Sequence, residues 1–301
     1  MKTFVKRISI LVVSFLVVVN GVAILSLCIL NNTTFYKPSF LVNSVKEKQF
    51  DYIILGASTG LTTLNTKEID KITGAKGVNL SVDDTSMASH YLMLQHFLAE
   101  GKQTKRCVVA PGLSSLDANS VNISDNDYRF LMFVNRDYVY DYYSKIGHSA
   151  KEIVLKNSLW MPFLGMSYYN TELFFPSLVC LVNPKKRNRF DDKGNYSYPE
   201  LNTNFKSKQL KTKDIIFKNP YLNKIKKLCK ANNIELILYF SPLRVQKITF
   251  QAQEFSIIDH SSFFNENIYF YDNIHVNSIG RKKVSKAFAD ILKKKLIKVN
   301  E

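Results

Sequence analysis

Hydrophobic positions follow two distinct rhythms along this chain. Residues 8 to 30, ISILVVSFLVVVNGVAILSLCIL, form 23 consecutive positions without a charge. At about 1.5 Å per residue such a helix reaches across a hydrocarbon core of about 30 Å, so the run predicts a membrane-spanning helix. A cleaved signal peptide is the rival, but its apolar stretch is typically only about 7 to 15 residues and ends at a small-residue cleavage site. The ending LSLC resembles a lipoprotein box, yet Leu27 stands where that signal wants a small residue. An uncleaved anchor is therefore expected.

From Phe50 the rhythm changes to short apolar runs separated by helical periodicity. DYIILG (51 to 56), GVNLSV (77 to 82) and RCVVAPG (106 to 112) read as buried strands, with a helix over 86 to 100 between the last two. Further on come a helix at about 220 to 232, a strand IELILYF at 234 to 240, a short strand around Ile268 to Phe270, and a closing helix from about Ser278 to Lys298. This alternation signals βαβ units, hence an α/β fold with a parallel sheet. Two aromatic-dense segments, DYRFLMFVNRDYVYDYYSKIG and WMPFLGMSYYNTELFFP, break the alternation. They predict helices inserted over the sheet, as a lid or a membrane-proximal cap, followed by a polar loop over 183 to 204. The expected organisation is a tail at 1–7, an anchor at 8–30, a polar stalk at 31–49, and one domain at 50–301 with a helical aromatic insertion at about 128–200.

Charge alters this picture little. The formal net charge is +16, with 41 Lys and Arg against 25 Asp and Glu, which suits nucleic acid, an anionic membrane face or an acidic polymer. Lys2, Lys6 and Arg7 precede the apolar run, while Lys37, Lys46 and Lys48 follow at a greater distance beside Glu47 and Asp51. The positive-inside rule then puts the N-terminus in the cytoplasm and the large domain outside the cell membrane, away from nucleic acid. Much of the excess lies in 206–230 and 281–298, where lysines around apolar positions read equally well as wet helix faces. The four cysteines show no CxxC or Cys/His spacing, so buried single thiols are expected, with no metal and no cofactor.

Candidate chemistry lies in the loops expected at the carboxyl ends of the strands, where open α/β sheets bind ligands. GASTG (56 to 60) sets Ser58 in a tight turn past the first strand, with its hydroxyl exposed and backbone N–H groups free to hold an oxyanion. By itself such a turn is ordinary, and a capping serine accounts for it. YDNIHVNSIG (271 to 280) adds Asp272 and His275 in a loop before the last helix. If the run at 268 to 270 is a strand beside the first, His275 can take the Ser58 proton as general base while Asp272 holds the imidazole tautomer. His90 and His96 share a helix on opposing faces, His148 caps or starts a helix, and His260 directly follows Asp259; all are expected to be structural or solvated. The Asp83–Asp84 pair, in DDTS, fits helix capping before Met87.

These motifs together resemble the SGNH/GDSL hydrolase superfamily: a serine in a G-x-S turn after the first strand, N-L-S after the second, and a late D-x-x-H followed by Asn277, Gly280 and a final helix. More narrowly, they resemble its membrane-anchored bacterial branch, which includes polysaccharide O-acetyltransferases and the protein that helps D-alanylate teichoic acids. The resemblance covers about Phe50 to Leu296. It implies a flavodoxin-like three-layer parallel sheet, with Ser58 as nucleophile, His275 as base and Asp272 as its orienting acid. It further implies an oxyanion or substrate site around Gly56, Gly112, the Ser58 N–H and the Asn79 side chain. The chain departs from the pattern where hydrolase members carry G-x-N-D after the third strand: APGLSSLD has Gly112 but no Asn two residues on. Transferring branches also depart there.

The leading expectation is thus a membrane-anchored, extracytoplasmic serine acyl esterase or O-acyltransferase on an envelope or exported glycan, with a multi-span partner supplying the acyl group if transfer is the reaction. An inactive scaffold or binding protein of the same fold, in a surface-polysaccharide assembly complex, stands beside it. A nucleotide-binding domain with GASTG as phosphate loop ranks last, for want of G-x-G-x-x-G or a P-loop lysine.

Overall fold

The computed structural model describes residues 1–119, 121–145, 149–200, 205, 211–250 and 255–297. The chain forms two compact units: residues 1–45 with 127–188, and residues 46–126 with 189–301.

The first unit is helical. Helix α1 (Lys2–Asn31) contains the whole apolar run and is long and apolar enough to cross a membrane. Its buried residues, Ala23, Ser26, Leu27 and Leu30, all lie in its C-terminal third. The stretch expected to be a polar stalk instead holds helix α2 (Lys37–Asn43), with Tyr36, Phe40 and Leu41 almost wholly buried. Pro38 at its start supplies the preset φ that favours a first helical turn. Averaged polarity hid this helix because Lys37 and Ser39 are buried in it alongside Phe40 and Leu41. The aromatic segments and the stretch between them form α6 (Asp137–Lys145), α7 (Ala150–Asn157), α8 (Phe163–Tyr168) and α9 (Asn170–Val182). This helical unit closes at Asn188, so the expected insertion is shorter than 128–200 at its far end. His148, expected to cap or start a helix, lies outside the described residues.

The second unit is built on a five-stranded parallel sheet of β1 (Tyr52–Gly56), β2 (Gly77–Asn79), β3 (Arg106–Ala110), β4 (Glu235–Phe240) and β5 (Ser256–Asp259). The order is 2-1-3-4-5, the doubly wound order with its switch point between β1 and β3. Pairing of Gly56 with Ala110 aligns the ends of these two strands. All five residues of β1 and of β3 are buried, because helices cover both faces and leave no wet side for alternation. Helices α4 (Thr66–Thr73) and α11 (Ser278–Ile297) cover one face, with Ile69, Phe288 and Leu292 against Tyr52, Ile54, Val108 and Tyr239. On the other face lie α5 (Met87–Ala99) and α10 (Pro220–Ala231), where Cys229 meets Cys107. Each fully buried Leu, Ile or Phe contributes about 1.5–3 kcal/mol relative to exposure.

One expected strand is absent. Residues Asn267–Tyr269 form a single 3-10 turn, and the fifth strand is Ser256–Asp259, paired with β4 from Ile237↔Ser256 to Phe240↔Asp259. Both runs are short and apolar, and periodicity cannot rank them. β4 has one free edge, which β5 occupies; Phe270 enters the core from a loop instead.

Candidate functional site

Ser58 follows the carboxyl end of β1 and opens the short helix α3 (Ser58–Thr63). The turn is compact because Gly56 has no side chain: a Cβ there would sit 2.3 Å from the Ala110 carbonyl oxygen. Ser58 keeps part of its surface in solvent, and its N–H, at the first position of α3, has no partner among the described residues. Orphan N–H groups of this kind are what an oxyanion needs.

The loop carrying Asp272 and His275 reaches Ser58 by way of α11 rather than a strand. Asn65 N–H donates to Ser285 Oγ (2.9 Å), and Arg281 donates to the Leu64 carbonyl (3.4 Å), which fixes the start of α11 against the segment after Ser58. Asn277 caps α11, its Oδ1 accepting from Ile279 and Gly280 N–H at 3.1 and 3.0 Å, while its Nδ2 donates to the Ile268 carbonyl. Asp272 closes the loop on itself: its Oδ1 accepts from the N–H groups of Ile274 (2.9 Å) and His275 (2.8 Å).

The three side chains then form a relay. Asp272 Oδ2 lies 2.7 Å from His275 Nδ1, and His275 Nε2 lies 2.8 Å from Ser58 Oγ. Burial pushes the Asp272 carboxyl up, but the hydrogen bonds from His275 and the Ile274 N–H outweigh it and hold the group below its ordinary value. A carboxylate on Nδ1 selects the tautomer whose Nε2 is free to accept, so the Ser58 hydroxyl can donate to it. His275 is buried, whereas the Asp272 side chain is 44% exposed.

The remaining predicted site residues divide. Gly112 heads the turn Leu113–Leu116, two residues past Ala110 as Ser58 is two past Gly56, and so shares the sheet edge with Ser58. Asn79 does not serve as a side-chain donor to the site. It is fully buried, its Nδ2 donates to the Gly60 carbonyl at 3.0 Å, and its Oδ1 accepts from Ser81 N–H at 3.0 Å. Adjacent to β1 in the sheet, it holds the GASTG turn from beneath.

Two residues near the relay had no signal strong enough to find them. Tyr198 stacks on Tyr271 with centroids 4.2 Å apart and tilts against the His275 ring at 5.1 Å. Burial, then the nearby Asp272 carboxylate, raises the Tyr198 phenol above its ordinary value. Tyr198 came from a stretch that reads only as polar loop, yet the strap 189–200 is tightly fastened: Arg189 to Asp83, Lys193 to Asp70, Tyr196 N–H to the Leu61 carbonyl, and Asn195 to Thr66. The other histidines stand apart. His90 and His96 are buried within α5, and His260 sits against the Tyr239 hydroxyl at 3.3 Å. Ser86 is the N-cap of α5, its N–H donating to Ser89 Oγ at 3.3 Å, where the DDTS context placed a cap.

No family model matches the chain, and no curated protein matches it.

Proposed function

We propose that this protein is a membrane-anchored serine acyl esterase or O-acyltransferase of SGNH type, with its sheet domain outside the cytoplasmic membrane and an envelope or exported polysaccharide as substrate. The observation that carries this reading is the unbroken relay from Asp272 through His275 to Ser58, at 2.7 and 2.8 Å, on the carboxyl edge of a parallel sheet. In the reaction, Ser58 Oγ attacks an ester carbonyl carbon as His275 Nε2 takes its proton. The tetrahedral oxyanion is held by the Ser58 N–H. Collapse expels the alcohol, which recovers the proton from His275 and leaves an acyl group on Ser58. Water or a sugar hydroxyl, deprotonated by His275, then removes that group. The location and the glycan substrate rest on the apolar α1, on Lys2, Lys6 and Arg7 before it, and on the resemblance to the anchored SGNH branch.

A second reading is favoured by one observation: the Asn79 amide is spent on Gly60, and no Asn stands two residues past Gly112. Losing one oxyanion donor typically costs about 10²- to 10³-fold in rate. On this reading the chain is a catalytically idle scaffold or binding protein in a surface-polysaccharide assembly. The two separate when the full chain, in detergent, is exposed to a fluorophosphonate serine probe beside Ser58→Ala and His275→Ala. Labelling of the parent that both variants lose supports the acyl-enzyme; a folded parent that stays unlabelled supports the scaffold.

A further inference from the structure

We propose that residues 160–182 lie in the same lipid leaflet as the C-terminal half of α1, so that the protein meets the bilayer through two surfaces. This rests on the reading that α1 crosses the membrane.

The segment is exposed and apolar. Trp160, Phe175, Leu178, Val179, Leu181 and Val182 are 79, 56, 44, 47, 59 and 89% exposed, and from Asn157 to Val182 the only charge is Glu172. A patch of this kind on a soluble surface is a contact site for something apolar. What it touches follows from its position along α1, which packs against both α8 and α9. The Phe163 N–H donates to Asn20 Oδ1 at 3.2 Å, and its ring meets that of Phe15 at 6.5 Å. Asn20 lies ten residues before Leu30, the end of the uncharged run, or about 15 Å down the helix axis. In a hydrocarbon core of about 30 Å, the start of α8 thus lies near the middle if the run spans it.

The backbone there meets the condition that lipid imposes, that polar groups be satisfied internally. Trp160 and Met161 N–H both donate to the Asn157 carbonyl, Leu164 N–H donates to the Met161 carbonyl, and Pro162 has no N–H. Phe163, whose N–H at the start of α8 has no helical acceptor, finds Asn20. That explains a polar residue in the middle of an apolar helix, since Asn20 also returns its own Nδ2 to the Leu16 carbonyl at 2.9 Å. At the other end, α9 runs into Lys185, Lys186 and Arg187, and the Pro184 carbonyl accepts from Thr34 N–H at 3.3 Å. This basic run therefore stands just past the end of the apolar run, at the interface where the long side chains of lysine and arginine reach water.

Trp160 is the sole tryptophan of the chain, so its fluorescence reports this contact directly. The full chain is reconstituted into phosphatidylcholine vesicles with and without acyl-chain bromination, and vesicle flotation after an alkaline wash reports on α1 separately. The expected result is severalfold quenching of Trp160 by brominated lipid and little by aqueous iodide. Trp160→Phe combined with Phe175→Trp moves the reporter to α9 and is expected to behave likewise. A chain that floats while both reporters respond to iodide alone overturns the second surface and keeps the anchor; a chain that fails to float overturns both. Reporters shielded from iodide and from bromolipid alike, with cross-linked dimers, would mean that a second copy covers the face and would also overturn the proposal.

Discussion

His275 Nε2 and Ser58 Oγ stand 2.8 Å apart across 217 residues of chain. The contact depends on α11 being pinned beside α3, so the site can be disturbed from either side of it, or from beneath.

Replacing Asp272 with Asn keeps the loop shape while removing the carboxylate from His275 Nδ1. The amide can present its N–H to that nitrogen and force the wrong tautomer, so fluorophosphonate labelling should slow by about 10⁴-fold with little change in thermal midpoint. Rates followed by gel fluorescence check this. A labelling rate equal to that of the parent would remove the relay from the mechanism.

Gly280 packs so tightly that a Cβ on it would meet the Tyr269 carbonyl oxygen at 2.3 Å. The neighbour is backbone and cannot rotate away. Gly280→Ala is expected to cost about 1–3 kcal/mol and to lower both the thermal midpoint and the labelling rate, because the same turn carries His275. Calorimetry in detergent beside the probe assay measures the two together.

Asn79 offers a test of position against chemistry. Asn79→Ala strands the Gly60 carbonyl and the Ser81 N–H in a buried site, at about 1–3 kcal/mol for each unsatisfied group. A lowered melting midpoint is the expected outcome. Unchanged stability with labelling reduced by about 10²-fold or more would instead identify the side chain as an oxyanion donor.

Two buried histidines make the sheet unit acid-sensitive. Desolvation lowers His90 to about 3 and His260 to about 4, from an ordinary value of 6.5. Between those values the unfolded chain binds protons that the folded chain refuses, so stability falls as pH drops from 6.5 toward 4. Each histidine contributes a slope of up to about 1.4 kcal/mol per pH unit. Below about 4 the depressed Asp272 carboxyl adds to the loss. Urea midpoints measured from pH 7 to pH 4 should show the decline, and the double variant His90→Gln, His260→Gln should flatten it.

How much of this was readable in advance varies with the range of the interaction involved. The runs at 51–56, 106–112 and 234–240 were legible as strands because burial on both faces leaves an apolar signature in the residues themselves. Ser58, Asp272 and His275 were legible because their turn and loop chemistry is local. Tyr198 and the amide of Asn79 were not: one lay in a loop whose fastening points are distant, and the other had the right residue type with its hydrogen bonds already spent on the chain.

By itself, the order of residues determined the long uncharged helix, the βαβ alternation and the two short motifs, all of which depend on neighbours within a few positions. Only the tertiary structure decided that Ser256–Asp259 and not 268–270 completes the sheet, that Asn79 faces the turn and not the cleft, and that Tyr198 stands beside His275. Periodicity records whether a residue is buried; which partner it meets there is settled by packing between segments far apart in the chain.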